Sequence, residues 1–301
     1  MAKITHLSGS WPQWIADNLA RGCTPASLVE AMVRDNFEPS FAVKCVYGSV
    51  QAPAAAQQSA SAGAYQYDTP RLPENVHQIQ TNDRLVRVAM RLTQPVLALF
   101  ENLLAPDECD ELVRLSRIKL KRSTIVDPNT GQEAVIPNRS SDGTYFALNE
   151  DAFITRLDRR IAEVMHWPVE NGEGLQILHY QVGGEYKPHY DYFPPADPGS
   201  RPHLARGGQR VSTLVIYLND VAGGGDTVFP ELKLSVTPQK GAAVYFEYCN
   251  RQGQVDARTL HGGAPVTAGE KWVATKWMRQ GRYGEDDLLV VHADIVHFHL
   301  V

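Results

Sequence analysis

From residue 175 to residue 278 the chain breaks into short runs of β-branched and aromatic residues set apart by glycine- and proline-rich turns. This punctuation restricts the fold more than any other feature. The runs are approximately 175–181, 186–193, 211–219, 227–230, 242–248 and 272–278, with 194–208 and 222–225 among the turns. Several such strands after two helices predict a mainly β architecture with flanking helices, an antiparallel sandwich or barrel. A jelly roll is the form in which distant strands meet.

Upstream, Val86, Val88 and Met90 alternate with polar residues as a strand, and residues 95–104 form a second apolar run. Residues 107–120 and 151–166 carry helical patterns, the first with Asp107 and Glu108 in its opening turn and Lys119 and Lys121 near its end. Residues 1–48 read as a small helical module of two short helices. One carries Trp11, Trp14, Ile15 and Leu19, and the other opens at Thr24-Pro25 and stops at Phe37-Glu38-Pro39. Residues 49–75, rich in Ala, Gln, Ser and Pro, read as a flexible linker, which leaves 76–301 as the main domain. The polar, turn-rich stretch 121–149 reads as a lid without structure of its own.

A formal net charge of −5 argues against a nucleic-acid surface. Neither a signal peptide nor a run of membrane-spanning length is visible, so a cytoplasmic location is expected. Cys23, Cys45, Cys109 and Cys249 are too scattered for a zinc knuckle or a redox pair, and read as reduced thiols.

The chemistry concentrates at Glu185-Tyr186-Lys187-Pro188-His189-Tyr190-Asp191-Tyr192-Phe193. In an extended strand His189 and Asp191 project to one face. An imidazole and a carboxylate are two-thirds of the 2-His-1-carboxylate triad that holds Fe(II) with open positions. A lone pair of this kind is weak evidence, because His292-Ala293-Asp294 repeats it and is followed by His297 and His299, a conceivable surface metal site. His261, in Thr259-Leu260-His261-Gly262-Gly263, is the best third ligand, which a Greek-key barrel can bring to His189. Lys271 follows ten residues later, in a strand whose alternation puts Lys271, Val273, Thr275 and Trp277 on one face. A lysine buried there needs an anion beside it, such as a bound carboxylate.

With these residues in view, residues 95–283 resemble the catalytic domain of the prolyl 4-hydroxylases, Fe(II)- and 2-oxoglutarate-dependent dioxygenases. The resemblance rests on Tyr180 nine residues before His189, the His-x-Asp, the Gly223-Gly224-Gly225-Asp226-Thr227-Val228-Phe229-Pro230 segment, and His261 followed by Lys271 in Lys-Trp-Val-Ala-Thr-Lys-Trp. It implies a double-stranded β-helix core. It also implies iron on His189, Asp191 and His261, and 2-oxoglutarate on Lys271 with the hydroxyls of Tyr180 and Thr227. Tyr186, Arg210 and Trp277 match positions lining a peptide-proline site, and residues 122–146 match a loop that closes over the peptide.

The implied reaction splits 2-oxoglutarate and O2 into succinate and CO2 while hydroxylating C4 of a proline, with ascorbate as the reductant that rescues Fe(III). The implied partner is a proline-containing protein or peptide; no nucleic acid or membrane is expected, and the N-terminal module is open to a protein contact or a dimer. Two other readings remain: the same chemistry on a free amino acid or small molecule, and a non-catalytic jelly-roll binding module.

Overall fold

A computed structural model describes residues 3–7, 11–20, 23–50, 65–123, 125–126, 132–134 and 140–283. The chain separates into two compact units, Met1–Tyr65 and Gln66–Val301.

Among its described residues the smaller unit holds three helices, α1 (Trp11–Ala20), α2 (Pro25–Arg34) and α3 (Pro39–Val50). Thr24 caps α2 by accepting the Ser27 N–H at 3.2 Å, and Pro25 sits in the first turn, where its missing N–H is not needed. The expected pair of helices is corrected to three. Pro39 ends one helix only because it opens the next, with the Glu38 carboxylate accepting the Phe41 N–H at 2.8 Å. Ile15, Leu28, Met32, Phe37, Ala42 and Val46 are buried, and Trp11 meets Phe37 edge-on with ring centres 4.8 Å apart.

The larger unit is built on a nine-stranded sheet. Its strands are β1 (Gln78–Gln80), β2 (Leu85–Thr93), β3 (Val96–Glu101), β4 (Lys121–Arg122), β7 (Asp142–Phe146), β8 (Leu175–Tyr180), β10 (Arg210–Tyr217), β14 (Ala243–Glu247) and β17 (Lys271–Arg279), in the spatial order β1-β2-β3-β14-β10-β17-β8-β7-β4. A second sheet has the order β13-β12-β15-β9, from β9 (Tyr186–His189), β12 (Thr227–Phe229), β13 (Leu234–Val236) and β15 (His261–Gly263). Among the described residues two short pairs complete the set, β5 (Ile125–Val126) with β6 (Glu133–Ala134), and β11 (Gly223–Gly224) with β16 (Val266–Ala268). From β8 onward the chain passes alternately between the two main sheets, through β9, β10, β12–β13, β14, β15 and β17. This is the winding of a double-stranded β-helix.

Each face of the large sheet has its own core. One face takes the amphipathic helices α4 (Pro106–Arg117) and α5 (Ala152–Met165), whose Leu112, Ile154, Leu157 and Ile161 pack with Ala98, Leu214, Ile216, Trp272, Ala274 and Met278. Each of the leucines and isoleucines in this core contributes about 1.5–3 kcal/mol through burial. The other face meets the small sheet through Leu178, Tyr180, Tyr217, Val244, Phe246 and Val273 against Phe229 and Val236. The strict two-residue alternation along β17 divides its side chains between these cores.

Three expectations are corrected here. The linker assignment 49–75 fails at both ends. Helix α3 runs through Val50, while Gln66 donates its N–H to Gln254 at 3.0 Å, Tyr67 donates to Asp256 at 2.7 Å and Leu72 is buried in the larger unit. Residues 51–64 lie outside the described residues. The stretch 121–149 is not structureless, since Asp142–Phe146 pairs with β8 in the main sheet from Asp142↔His179 to Phe146↔Leu175. Strand β9 ends at His189 rather than at Phe193, so Asp191 lies in a bend beyond it. The histidines at 292, 297 and 299 lie outside the described residues. Among those described, no helix is long and apolar enough to cross a membrane.

Candidate active site

Strands β9 and β15 run antiparallel with His189 opposite His261. Gly262 permits this approach, because a Cβ there would lie 2.8 Å from the Tyr186 carbonyl oxygen. The bend after His189 then turns Asp191 inward between the two rings. Its Oδ1 lies 3.6 Å from His189 Nε2 and its Oδ2 3.4 Å from His261 Nε2, and one ligand atom from each residue falls within 4.8 Å of the others. Each imidazole donates its Nδ1–H to a main-chain carbonyl, His189 to Lys187 at 2.9 Å and His261 to Thr259 at 3.0 Å. That fixes the tautomers, so both Nε2 lone pairs face Asp191. Burial, with His261 alongside, pushes the His189 pKa down and keeps the ring neutral. Burial opposes ionisation of Asp191, but His261 and His189 together hold its carboxyl well below the usual carboxylate range. Two imidazoles and one carboxylate, walled by Tyr186, Phe229 and Phe246, form a donor set suited to Fe(II).

Beside this cluster lies Lys271, 4% exposed, at the start of β17 opposite Tyr180. Among the described residues no carboxylate comes within ion-pair distance of its ammonium, which lies 5.6 Å from the Tyr180 ring centre. A Cβ on Gly263, two residues after His261, would fall 3.7 Å from Lys271 Nζ. Gly225 passes the lysine stem at positive φ, and a Cβ there would reach within 3.3 Å of Lys271 Cδ. Burial pushes the Lys271 pKa down to about 8, against the pull of Asp226. Thr227 is buried nearby and accepts the Tyr217 hydroxyl at 2.8 Å. An unpaired buried ammonium calls for an anion.

The sequence pattern of the 2OG-Fe(II) oxygenase superfamily matches residues 175–279, the span from β8 to the end of β17. A probable prolyl 4-hydroxylase 10 of Arabidopsis thaliana is 37% identical over 221 residues, covering 67% of this chain and 74% of the relative. The chain belongs to the prolyl 4-hydroxylase family of 2OG-Fe(II) oxygenases. Prolyl 4-hydroxylase 1 of the same plant is 41% identical over 201 residues, covering 62% of this chain and 69% of its own. The crystal structure of a viral collagen prolyl hydroxylase from Paramecium Bursaria Chlorella virus-1, in a 2OG complex, superposes with a TM-score of 0.48 at 29% identity, over 61% of this chain and 95% of that one.

In this oxygenase the remaining sequence-selected residues flank the triad. The Tyr186 ring stacks on His189 with centres 3.6 Å apart. Arg210 lies 3.8 Å over the Trp277 ring, donates to the Asp191 carbonyl at 3.3 Å and chelates Glu173 with bonds of 2.6 and 2.8 Å. Burial works against that guanidinium, yet Glu173 raises its pKa further, so it is a permanent cation. Trp277 is buried, and its indole N–H has no acceptor among the described residues. Sequence reasoning missed Glu173, which also accepts Arg279 Nε at 2.6 Å, and missed Thr213 and Tyr248 behind Asp191. The only signal in the sequence is strand parity: Thr213 lies inward on β10 and Tyr248 continues the inward parity one residue past the end of β14, two strands whose register the sequence does not state.

Proposed function

We propose that this oxygenase hydroxylates C4 of a proline residue in a peptide or protein, coupled to conversion of 2-oxoglutarate and O2 to succinate and CO2. The reading is carried by the convergence of His189, Asp191 and His261 within 4.8 Å, in a chain 37% identical to a relative named for prolyl 4-hydroxylation. His189, Asp191 and His261 would hold Fe(II), whose role when bound is to activate O2 for decarboxylation and hydrogen abstraction.

The chain's own residues do the rest. Lys271 neutralises the distal carboxylate of 2-oxoglutarate, aided by the hydroxyls of Tyr180 and Thr227. The Nδ1–H bonds to Lys187 and Thr259 keep both imidazoles aimed. Phe229, Phe246 and the buried wall of the large sheet exclude water. Tyr186 and Trp277 offer flat apolar surfaces to a pyrrolidine ring, and Arg210 a fixed donor to a peptide carbonyl. Ascorbate would serve as the reductant that keeps the metal as Fe(II), and the protein works in the cytoplasm. A free amino acid is the second substrate class, distinguished by the product.

The test is a mass-spectrometric screen of proline peptides with Fe(II), 2-oxoglutarate and O2. A +16 Da product on proline that vanishes in His189→Ala is expected. Hydroxylation of free amino acids with none of peptides would move the substrate assignment, and equal 2-oxoglutarate turnover by His189→Ala would overturn the metal assignment.

A further inference from the structure

Asp191 must serve as a ligand while leaving the opposite side of its metal open, and a carboxylate has two oxygens with which to fail at this. Its two oxygens stand in different environments. Oδ2 accepts the Thr213 hydroxyl at 2.7 Å. Oδ1 has no hydrogen-bond donor among the described residues; each oxygen faces one imidazole Nε2, Oδ1 that of His189 at 3.6 Å and Oδ2 that of His261 at 3.4 Å, so the Thr213 hydroxyl is what sets them apart. Thr213 in turn lies 3.0 Å from the Tyr248 hydroxyl. The direction of this chain is decided: Thr213 gives its single hydrogen to the carboxylate, so Tyr248 must be the donor to Thr213 Oγ1. All three side chains are buried, with Thr213 and Tyr248 fully so. Burial, with Asp191 near, also raises the Tyr248 pKa well above that of an ordinary phenol, so the donor keeps its proton. The backbone supports the same arrangement. Thr213 pairs with Phe246 across β10 and β14, and the Tyr248 N–H binds the Val211 carbonyl at 3.0 Å.

We infer that Thr213, locked by Tyr248, is a positioning residue that occupies Asp191 Oδ2 and leaves Oδ1 as the single ligating oxygen, so that Asp191 cannot chelate through both. The inference rests on the proposed iron site. Its consequence is coordination number: a chelating carboxylate would fill one of the positions that a bidentate 2-oxo acid and O2 require. A hydrogen bond from a buried neutral hydroxyl suits this task, since it holds one oxygen without adding charge to the site.

The test uses Co(II) as a spectroscopic probe, titrated anaerobically into the metal-free 301-residue chain. The wild type, Thr213→Ser, Thr213→Val and Tyr248→Phe are compared with His189→Ala. Binding near 1:1 by the wild type and its loss in His189→Ala establish the site; without them the iron reading itself fails. Given that, Thr213→Val is expected to weaken Co(II) affinity about tenfold and to change the visible ligand-field bands. Thr213→Ser should restore both, and Tyr248→Phe should give the same band change with a smaller loss of affinity. Wild-type affinity and spectrum in both Thr213→Val and Tyr248→Phe overturn the inference. Thermal midpoints of the metal-free variants identify any that fail to fold, and Tyr248→Phe, which removes one oxygen, then decides.

Discussion

Two lysines five residues apart on β17 are both buried, and they have opposite surroundings. Lys276 points to the helical face, 1% exposed, with its ammonium 2.7 Å from Asp158 of α5. Lys271 points to the small-sheet face, 4% exposed, with no carboxylate in ion-pair reach among the described residues. A buried charge that has its counter-ion is part of the fold. A buried charge that lacks one is a stability penalty, retained where a ligand supplies the counter-ion.

The same substitution at the two sites should therefore act with opposite sign. Lys276→Met leaves Asp158 buried without its cation and is expected to destabilise by about 3–5 kcal/mol in urea unfolding. Lys271→Met removes an ammonium whose pKa burial has pushed from 10.5 to about 8, which corresponds to stabilising the ligand-free protein by roughly 3 kcal/mol at pH 7. The sign is fixed by linkage. Between pH 8 and 10.5 the unfolded lysine holds a proton that the folded one has lost, so the penalty fades as pH rises and the gain from Lys271→Met should fade with it. Destabilisation by both variants would erase the contrast.

The contrast sharpens in ligand binding. Only protonated Lys271 can pair with a carboxylate, so 2-oxoglutarate affinity should be flat below pH about 8 and fall by up to about tenfold per unit above it, measured by calorimetry on Mn(II)-loaded protein. Thr227→Val tests whether the ammonium acts alone. Loss of that hydroxyl should weaken 2-oxoglutarate binding by about 1 kcal/mol, roughly fivefold.

The sequence made the faces of β17 legible, because two-residue alternation survives any error in strand ends. It also made His261 and Lys271 visible as a pair, since their spacing along one chain does not depend on register. It misled where a local signal has two meanings. Pro39 stops one helix and starts another, and the residues 142–146 look like a turn because β7 is mostly half-buried and shows no clean alternation. His189 and Asp191 do converge, but through the bend after β9 rather than the pleat. Thr213, Tyr248 and Glu173 were out of reach, because their meaning comes from pairings between strands far apart in the chain.

The role of Lys271 as the counter-ion of 2-oxoglutarate is tested most directly by calorimetric titration of 2-oxoglutarate into Mn(II)-loaded wild type, Lys271→Met and Lys276→Met at pH 7, at a temperature where all three are folded. The expected result is 1:1 binding by the wild type and by Lys276→Met, with Lys271→Met weakened by at least about 2 kcal/mol, roughly thirtyfold. Equal affinity in wild type and Lys271→Met would contradict it.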